Sequence, residues 1–482
     1  MKKKIVSNSD INKALLKNTG IIAIGQISIK IINFLLLPLY TGLLTSEEYG
    51  LIDLLSTYGN FIMVIVGLQM SQAVFRFLVT CREDEEKKIK IISTIMISIT
   101  CSSVIYMLIF RAFELLFKIK YGWFLVTYVI ASVFLQTVSG VVRGLGRNVD
   151  YTMGNFIASF VTLVLNILFV AVLHYSVNII LLSYIIGPVV GCLFQIIRTK
   201  LYYYINIRKL SKDELKLFIN YSVPLIPNEL SWAIIHVSDR MIISAFLSVA
   251  ANGLIAVASK FSVIYTTMFS IFNMSWTEQV VLHYKDDGGP QYISRMFEKI
   301  IIFFGCIAIG IIACMPFIFK ILVHQQFSGS YNLIPLYMVA VFFNAVIGMI
   351  SAIYLIENET KQVAISTSIA AIINLIVDIA LVRYIGVYAA PISSIFAYVF
   401  ISVWRFIDIN RRHCTIQISR TKTLLLFICL LVSLLGFYTT IWIYSFIALL
   451  FVMILSIILN KDFFRELYET FKIDVNRRKK RK

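Results

Sequence analysis

The chain has 482 residues, of which 59% are hydrophobic and 15% are charged, and its formal net charge is +18. A soluble globular domain has about 45–50% apolar and about 25% charged residues. The composition therefore excludes an ordinary soluble protein and predicts an all-α, polytopic membrane protein.

Fourteen apolar segments follow one another along the chain, each close to the ~20 residues that a transmembrane helix needs. In order, the predicted spans are 18–42, 49–78, 89–112, 121–142, 151–173, 177–198, 215–247, 251–280, 298–322, 331–356, 362–383, 386–406, 421–438 and 440–460. Pro224 and Pro227 should interrupt the seventh span, because proline removes a helix donor and clashes with the preceding turn. None of the connections is long enough to hold a folded soluble domain.

Lysine and arginine are concentrated in alternate connections. If the N-terminus is cytoplasmic, the segments on that side hold 35 of the 44 basic residues. This asymmetry follows the positive-inside rule and predicts that both termini are cytoplasmic. It also accounts for the net charge, so we expect no nucleic-acid partner. The basic tail 476–482 has the charge to contact anionic membrane lipids.

An internal repeat relates the two halves of the chain. Residues 42–56 align with 245–259 at an offset of 203, and residues 163–167 align with 375–379 at an offset of 212. Both copies of the first motif connect two spans at the outer face. The pattern is typical of transporters built from parallel repeats. It predicts two parallel six-helix lobes, then two C-terminal helices with a basic tail, with the bounds 1–210, 211–415 and 416–482.

The seventh span carries a polar stripe inside an apolar segment. Its members are spaced as on one helix face: Glu229, Trp232, His236, Asp239 and Arg240. The repeat offset maps Glu229 onto Gln26 and His236 onto Asn33, and the first span also carries Lys30. The second span of each lobe is polar as well, with Asp53 in one lobe and Lys260 in the other. We expect these faces to line a central cavity, although private pairing within each lobe is the alternative.

A charge near the bilayer centre costs at least about 2.5–3.5 kcal/mol, so each one should face protein, water or substrate. Several cations in one cavity suit a pyrophosphate, and an indole can stack on a sugar ring. The candidate substrate-binding residues of the cavity are Lys30, Arg240, Lys260, Arg76, Gln26, Asn33 and Trp232. Groups that can exchange a proton or bind an ion are Asp53, Glu229, His236, Asp239 and Asp378. The alternative is that Asp53 or Asp239 neutralises Arg240 or Lys260 to hold the helices together.

The sequence shows no motif for metal binding, for ATP hydrolysis or for enzymatic catalysis. No His/Glu cluster has metal-ligand spacing, no Gly-Lys dipeptide of a Walker A loop occurs, and the seven cysteines are scattered. We expect no metal, no cofactor and no catalytic residues. A membrane glycosyltransferase or polymerase would usually need catalytic carboxylates on a sizeable loop, and the connections are too short for one. A non-transporting scaffold would tolerate changes to the intramembrane charges.

Three segments resemble bacterial polysaccharide-biosynthesis flippases, which translocate O-unit and capsule repeat units. They are Leu36-Leu-Pro-Leu-Tyr-Thr-Gly-Leu-Leu-Thr-Ser-Glu-Glu-Tyr-Gly50, Ser71-Gln-Ala-Val-Phe-Arg76, and Ser238-Asp-Arg-Met-Ile-Ile followed by Gly253-Leu-Ile. The resemblance implies the fold of the superfamily that also holds multidrug exporters and lipid II flippases. It further implies alternating-access transport of an undecaprenyl-pyrophosphate-linked oligosaccharide from the inner to the outer leaflet.

The same resemblance implies a location in the bacterial cytoplasmic membrane. Its implied partners are membrane lipids, H+ or Na+ as a coupling ion, and polysaccharide polymerase or export proteins. Two other members of the superfamily are alternatives, an ion-coupled multidrug exporter and a lipid II-type flippase. An exporter of cationic drugs favours an acidic cavity, whereas basic residues are at least as prominent here.

Overall fold

The computed structural model describes residues 25, 27–31, 34–172, 177–357, 359–412, 415–439, 441–461 and 465. These residues form α-helices joined by short 3₁₀ and π-helical turns, and no β-strand occurs among them. Eleven helical segments in this part of the chain are long and apolar enough to cross a membrane. The predicted all-α, multi-pass membrane fold is confirmed.

Three features explain why eleven segments are counted where fourteen spans were predicted. Lys361–Arg412 contains two predicted spans in one segment, and Ile27–Leu43 is a shorter apolar helix that runs over residues outside the described ranges. Ile226–Phe246 is long enough to cross a membrane but carries the charged residues Glu229, Asp239 and Arg240. The seventh span is therefore missing from the eleven apolar segments because of the charges in its polar stripe.

Packing divides the chain into two compact units, Met1–Ala256 and Val257–Lys482. The helices of the first unit are α1 (Ser46–Gly67), α2 (Met70–Thr80), α3 (Glu85–Phe117), α4 (Gly122–Gly144), α5 (Asn148–Asn166), α6 (Val177–Thr199), α7 (Lys212–Ser222) and α8 (Ile226–Phe246). Helix α9 (Val249–His283) begins in the first unit and continues into the second. The second unit continues with α10 (Gly289–Leu322), α11 (Ile334–Ile356), α12 (Thr360–Ile385), α13 (Ala389–Arg412), α14 (Arg420–Tyr438) and α15 (Trp442–Leu459). The lobe boundaries at 210 and 415 stay predictions.

Both copies of the repeat motif begin a helix with a hydroxyl cap. Thr45 Oγ1 accepts a hydrogen bond from Glu48 N at 3.2 Å, while Thr45 N donates to Glu48 Oε2 at 2.9 Å. In the second copy, 203 residues later, Ser248 Oγ accepts from Ala251 N at 3.0 Å. These caps satisfy backbone donors that have no partner in the first helical turn.

Two predicted spans are interrupted in the structure. The seventh breaks at Val223–Leu225, a 3₁₀ turn between α7 and α8, which confirms the break predicted from Pro224 and Pro227. The second span, predicted as one helix over 49–78, is two helices. Leu68 and Gln69 have φ values of +46° and +53°, a left-handed conformation that is uncommon for such residues. This break redirects α2 relative to α1.

Aliphatic side chains from α2, α3 and α4 form a core in the first unit, with Val74, Ile92 and Val138 fully buried. In the second unit, side chains of α10, α14 and α15 pack together, including Ile309, Cys429 and Val452. Lipid tails are as apolar as these side chains, so close packing and interhelical hydrogen bonds must stabilise the bundle.

Arg405 of α13 is an example of such a hydrogen-bonded contact. Its side chain is fully buried. Its Nε donates to Ser366 Oγ at 2.9 Å and its Nη1 donates to Ser351 Oγ at 2.8 Å, while Nη2 donates to Val363 O and Thr367 Oγ1. The guanidinium therefore ties α13 to α11 and α12 through neutral oxygens.

Candidate functional site

The two repeat motifs contact each other at their glycines within the first unit. A Cβ on Gly50 would lie 2.1 Å from Val249 O, and a Cβ on Gly253 would lie 2.1 Å from Ser46 O. Real Cβ atoms do not approach oxygen so closely, so only glycine permits this contact between the first turns of α1 and α9. The contact brings the beginning of α9 alongside Asp53.

A polar cluster forms beside these glycines. Arg240 Nε lies 3.3 Å from Asp53 Oδ2, and both side chains are largely buried. Asn252 Nδ2 donates to Gly50 O at 2.8 Å and lies 3.5 Å from Asp53 Oδ2. In this conformation Arg240 is therefore paired with Asp53, which is the alternative in which Asp53 neutralises Arg240. The two residues belong to different predicted lobes, so this contact is not the private pairing within one lobe.

The rest of the polar stripe on α8 divides by exposure. Glu229 and His236 are exposed, Trp232 is half-buried, and Asp239 is buried. A helix face that is partly exposed and partly buried fits a helix with one side against protein. The exposed members are the ones available to a substrate or an ion.

The other predicted site residues are distributed over both units. Lys30 is exposed, and Arg76 of α2 has its guanidinium carbon 4.5 Å from the ring centroid of Tyr221. Lys260 is half-buried in α9 and Asp378 is fully buried in α12, and both belong to the second unit. The two remaining candidates lie outside the described residues: Gln26 and Asn33.

A polar cavity of about 360 Å³ follows α4 in the first unit, and we call it the α4 groove. It is lined by residues of α1, α2, α4 and α5. Of its fourteen lining residues, ten are polar and Arg143 is the only charged one. The polar residues that matter most below are Asn60, Gln72, Tyr128, Gln136, Arg143 and Asn155.

The groove follows a stripe of polar side chains on α4. Its members recur every three or four residues and so share one helix face: Tyr128, Ser132, Gln136, Ser139 and Arg143. At 1.5 Å per residue, the stripe extends for about 22 Å. The sequence contains this spacing, but the predicted site did not include it, because the prediction was based on intramembrane charges and on positions related by the repeat.

Two glycines of α4 bring α2 against the groove. A Cβ on Gly140 would lie 2.6 Å from Ser71 O, and a Cβ on Gly144 would lie 2.8 Å from Leu78 Cβ. Small residues four apart permit this kind of close helix packing in membranes. Together with the break at Leu68–Gln69, the close approach sets the Ser71-Gln-Ala-Val-Phe-Arg76 motif opposite the α4 stripe.

Hydrogen bonds between helices hold the wall of the groove. Tyr128 Oη donates to Asn60 Oδ1 at 3.0 Å, which joins α4 to α1. Ser139 Oγ accepts from Asn155 Nδ2 at 3.1 Å and from Gln195 Nε2 at 3.0 Å. Gln195 of α6 is fully buried, so these bonds fix the α4 and α5 side chains that line the groove against α6.

Three lining side chains retain unused hydrogen-bonding capacity. The guanidinium carbon of Arg143 lies 4.3 Å from the ring centroid of Phe75. Within the described ranges, neither this guanidinium nor the amides of Gln72 and Gln136 make a protein hydrogen bond or ion pair. Their donors and acceptors are free to bind water or a ligand.

The helices of this chain have the fold of transporters of the MOP superfamily. An inward-facing multidrug resistance MATE transporter superposes with a TM-score of 0.61 at 15% identity, covering 81% of this chain and 98% of the other. The lipid II flippase MurJ, in an inward closed conformation, gives a TM-score of 0.65 at 14% identity, covering 94% and 100%. A MOP superfamily transporter from Pyrococcus furiosus gives 0.52 at 17% identity, covering 83% and 96%. At these identities, the likeness shows the fold alone.

The family is more specific than the fold. The model of the family described as polysaccharide biosynthesis protein matches residues 15–277, more than half of the chain. The chain therefore belongs to this family, which confirms the resemblance seen in its motifs. No curated relative matches the chain.

Proposed function

We propose that the protein is a flippase that moves an undecaprenyl-pyrophosphate-linked oligosaccharide from the cytoplasmic to the outer leaflet, for surface polysaccharide assembly. The observation that carries this proposal is the α4 groove. Polar side chains in an apolar bundle are costly unless they face water or a polar ligand. A chain of the polysaccharide biosynthesis family has a polar glycan head as the natural occupant of such a groove.

In this mechanism, the protein receives the polar head while the polyprenyl tail stays among the lipid chains. Alternation between inward-open and outward-open states then moves the head without making or breaking a covalent bond, so the protein is not an enzyme. Lys30, Arg240 and Lys260, with Arg76 nearer the cytoplasm, would attract the pyrophosphate, and the indole of Trp232 would contact a sugar face. Gln26 and Asn33 would add hydrogen bonds.

A coupling ion would need a group that titrates or binds a cation. The proposed candidates are Asp53, Glu229, His236, Asp239 and Asp378. Asp53 already compensates the charge of Arg240, so protonation of Asp53 would release Arg240 for a substrate anion. This exchange offers one physical route from proton binding to substrate binding.

The polarity of the groove favours a glycan over a cationic drug. No carboxylate is among the residues that line it, and its one charged residue is an arginine. A site for cationic drugs would need negative charge to offset the loss of drug hydration. We therefore prefer the oligosaccharide flippase to the multidrug exporter.

We also propose the bacterial cytoplasmic membrane as the location, with both termini in the cytoplasm. There the protein would accept its substrate from the enzymes that build lipid-linked oligosaccharides. It would deliver the flipped substrate to polymerase or export proteins.

The proposal can be tested in cells that depend on this protein for surface polysaccharide. Lys30→Ala and Lys260→Ala each remove one positive charge. Arg240→Lys removes the guanidinium but keeps the positive charge opposite Asp53. Losing a charged hydrogen bond costs about 1.5–3 kcal/mol, so we expect about tenfold or greater loss of outer-leaflet lipid-linked oligosaccharide. Unchanged export by all three variants, at normal membrane levels, would contradict the cationic role.

A further inference from the structure

We propose that the α4 groove is a carbohydrate subsite. It would bind sugar units of the lipid-linked substrate, and Arg143 would pair with an anionic group at one end. This inference rests on the proposed function and adds the location and chemistry of sugar recognition. It concerns a site inside the first unit that involves different residues from the charged stripe on α8.

The lining has the chemistry that a sugar ring requires. A pyranose has hydroxyl groups at its edge, which both donate and accept hydrogen bonds, and apolar C–H faces. Amides such as those of Gln72 and Gln136 offer donors and acceptors together, and Ser132 and Ser139 flank Gln136 along the α4 stripe. The rings of Phe75, Tyr128 and Tyr151 also line the cavity. Arg143 covers one face of Phe75 and Phe124 stacks on one face of Tyr128, so a sugar would contact the remaining ring surface.

The shape of the groove fits an extended ligand. Its volume of about 360 Å³ is within the range of about 300–1,000 Å³ that is usual for small-molecule sites. The polar stripe runs along α4 for about four helical turns. A short linear oligosaccharide can follow such a stripe. A compact apolar molecule would leave most amides of the groove without hydrogen-bond partners.

The groove is also organised before a ligand arrives. Ser139 is held by Asn155 and Gln195, and Tyr128 is held by Asn60. The amides of Gln72 and Gln136 take no part in these bonds. A rigid wall with free polar groups reduces the entropic cost of binding.

Arg143 differs from its basic neighbours. Arg82 Nε donates to Gly144 O at 2.8 Å, and Arg147 Nε lies 2.7 Å from Asp150 Oδ2. Arg143 instead packs one face on Phe75 and makes no ion pair within the described ranges. A guanidinium binds phosphate or carboxylate through paired N–H groups. The expected partner is therefore an anionic oxygen group, from the pyrophosphate or from a uronic acid.

The test uses the full-length protein in lipid nanodiscs and measures Kd for three probes. These are a sugar-free polyprenyl pyrophosphate, the same lipid with a neutral trisaccharide, and the same lipid with a trisaccharide that contains a uronic acid. The wild-type protein should bind the neutral glycolipid about tenfold more tightly than the sugar-free lipid, as two or three net hydrogen bonds would give.

Gln72→Leu and Gln136→Leu should each reduce that preference by about threefold to tenfold and leave the Kd of the sugar-free lipid unchanged. Both side chains are exposed, and a general loss of structure would weaken every probe alike. Gln291→Leu, an exposed position on α10, is the matched control. If both groove variants kept the full sugar preference, the subsite would be refuted.

Arg143→Gln separates the two sources of the anion. Weaker binding of all three probes points to the pyrophosphate, whereas weaker binding of the uronic acid lipid alone points to the carboxylate. Equal binding of every probe would overturn the role of Arg143, and Arg295→Gln serves as its control. If the wild-type protein bound no probe, the proposed function and the subsite would both fail. If it bound all of them with no sugar preference, only the subsite would fail.

Discussion

Two arginines within the helices show how the chain accommodates charge away from water. Arg240 is balanced by the carboxylate of Asp53, while Arg405 has four hydrogen bonds to neutral oxygens. The first arrangement can be altered by protonating one partner. The second has no titrating partner among these contacts, so it serves as a fixed tie between helices.

Replacing Arg405 with lysine should destabilise the second unit despite conserving the charge. An ammonium group cannot reproduce the planar fork that reaches Ser351, Ser366 and Thr367 together. Because a hydrogen bond to a charged group is worth about 1.5–3 kcal/mol, we expect the unfolding free energy in nanodiscs to fall by at least about 2 kcal/mol. Arg411→Lys, exposed on the same helix, should have little effect, and equal stability of the two variants would contradict this role.

The ion pair of Asp53 and Arg240 can be tested by exchanging the charges. Removing one partner of a buried pair costs about 3–5 kcal/mol, while an exposed pair contributes about 0–1 kcal/mol. The two side chains are 18% and 11% exposed, so the larger cost should apply. Arg240→Asp should therefore lower thermal stability and membrane level strongly, and adding Asp53→Arg should restore part of both.

Glu47→Gln is the control for this exchange, since Glu47 is exposed in the first turn of α1. It should leave stability nearly unchanged. A double variant no more stable than Arg240→Asp alone would show that the pair is not what holds these helices.

Sequence reasoning found both members of this pair as intramembrane charges and left their pairing open. The two residues are 187 positions apart, and their meeting depends on the contact of Gly50 with the start of α9. Arg143 was counted as one of many basic residues near a predicted cytoplasmic connection. What distinguishes Arg143 is its packing on Phe75, which lies close to α4 because Gly140 and Gly144 allow α2 to approach.

At the scale of helices, hydropathy predicted the existence of the spans, and the prolines predicted the break between α7 and α8. The break at Leu68–Gln69 was not predicted, because leucine and glutamine are both compatible with a helix and nothing in the local sequence requires a left-handed conformation there. Lys361–Arg412 shows the opposite case, where two predicted spans follow one another with only a short 3₁₀ turn between them.

The contact of α1 with α9 should be sensitive to a single methyl group. Gly50→Ala or Gly253→Ala places a Cβ about 2.1 Å from a backbone oxygen, so the helices must separate. Overpacking costs about 1–3 kcal/mol, and we expect a lower thermal unfolding midpoint in nanodiscs. The strain also removes the hydrogen bond from Asn252 to Gly50.

Gly310→Ala is the matched control, because a Cβ there meets nothing within 4 Å. Alanine is the better helix former by about 0.5–1 kcal/mol, so this variant should be neutral or slightly more stable. If Gly50→Ala and Gly253→Ala behaved like Gly310→Ala, the close contact would be absent in the membrane.

At the scale of the whole molecule, the charge distribution predicts the orientation in the membrane. In a cysteine-free background, Lys118→Cys should react with a membrane-impermeant maleimide in intact spheroplasts. Lys212→Cys should react only after permeabilisation, because the basic connections remain in the cytoplasm. Both positions are exposed, so access depends on the side of the membrane. The reverse labelling pattern would contradict the topology.

The fold and the family follow from the whole chain, while the substrate depends on a few side chains. Hydropathy was sufficient for an all-helical membrane protein, and the motifs were sufficient for the polysaccharide biosynthesis family. The α4 groove could have been noticed from the spacing of Tyr128, Gln136 and Arg143. Its other wall, from α1, α2 and α5, could not, because helix packing is not visible in a linear pattern.

The most direct test of the account is transport by the purified full-length protein in liposomes that contain undecaprenyl-pyrophosphate-linked oligosaccharide. A membrane-impermeant glycosidase reports the fraction of substrate in the outer leaflet over time. In protein-free vesicles, only the substrate initially in that leaflet should be hydrolysed. With the protein present, nearly all of the substrate should become accessible, because the protein carries the inner-leaflet pool across. If folded protein left the inner pool protected, the flippase mechanism would be contradicted.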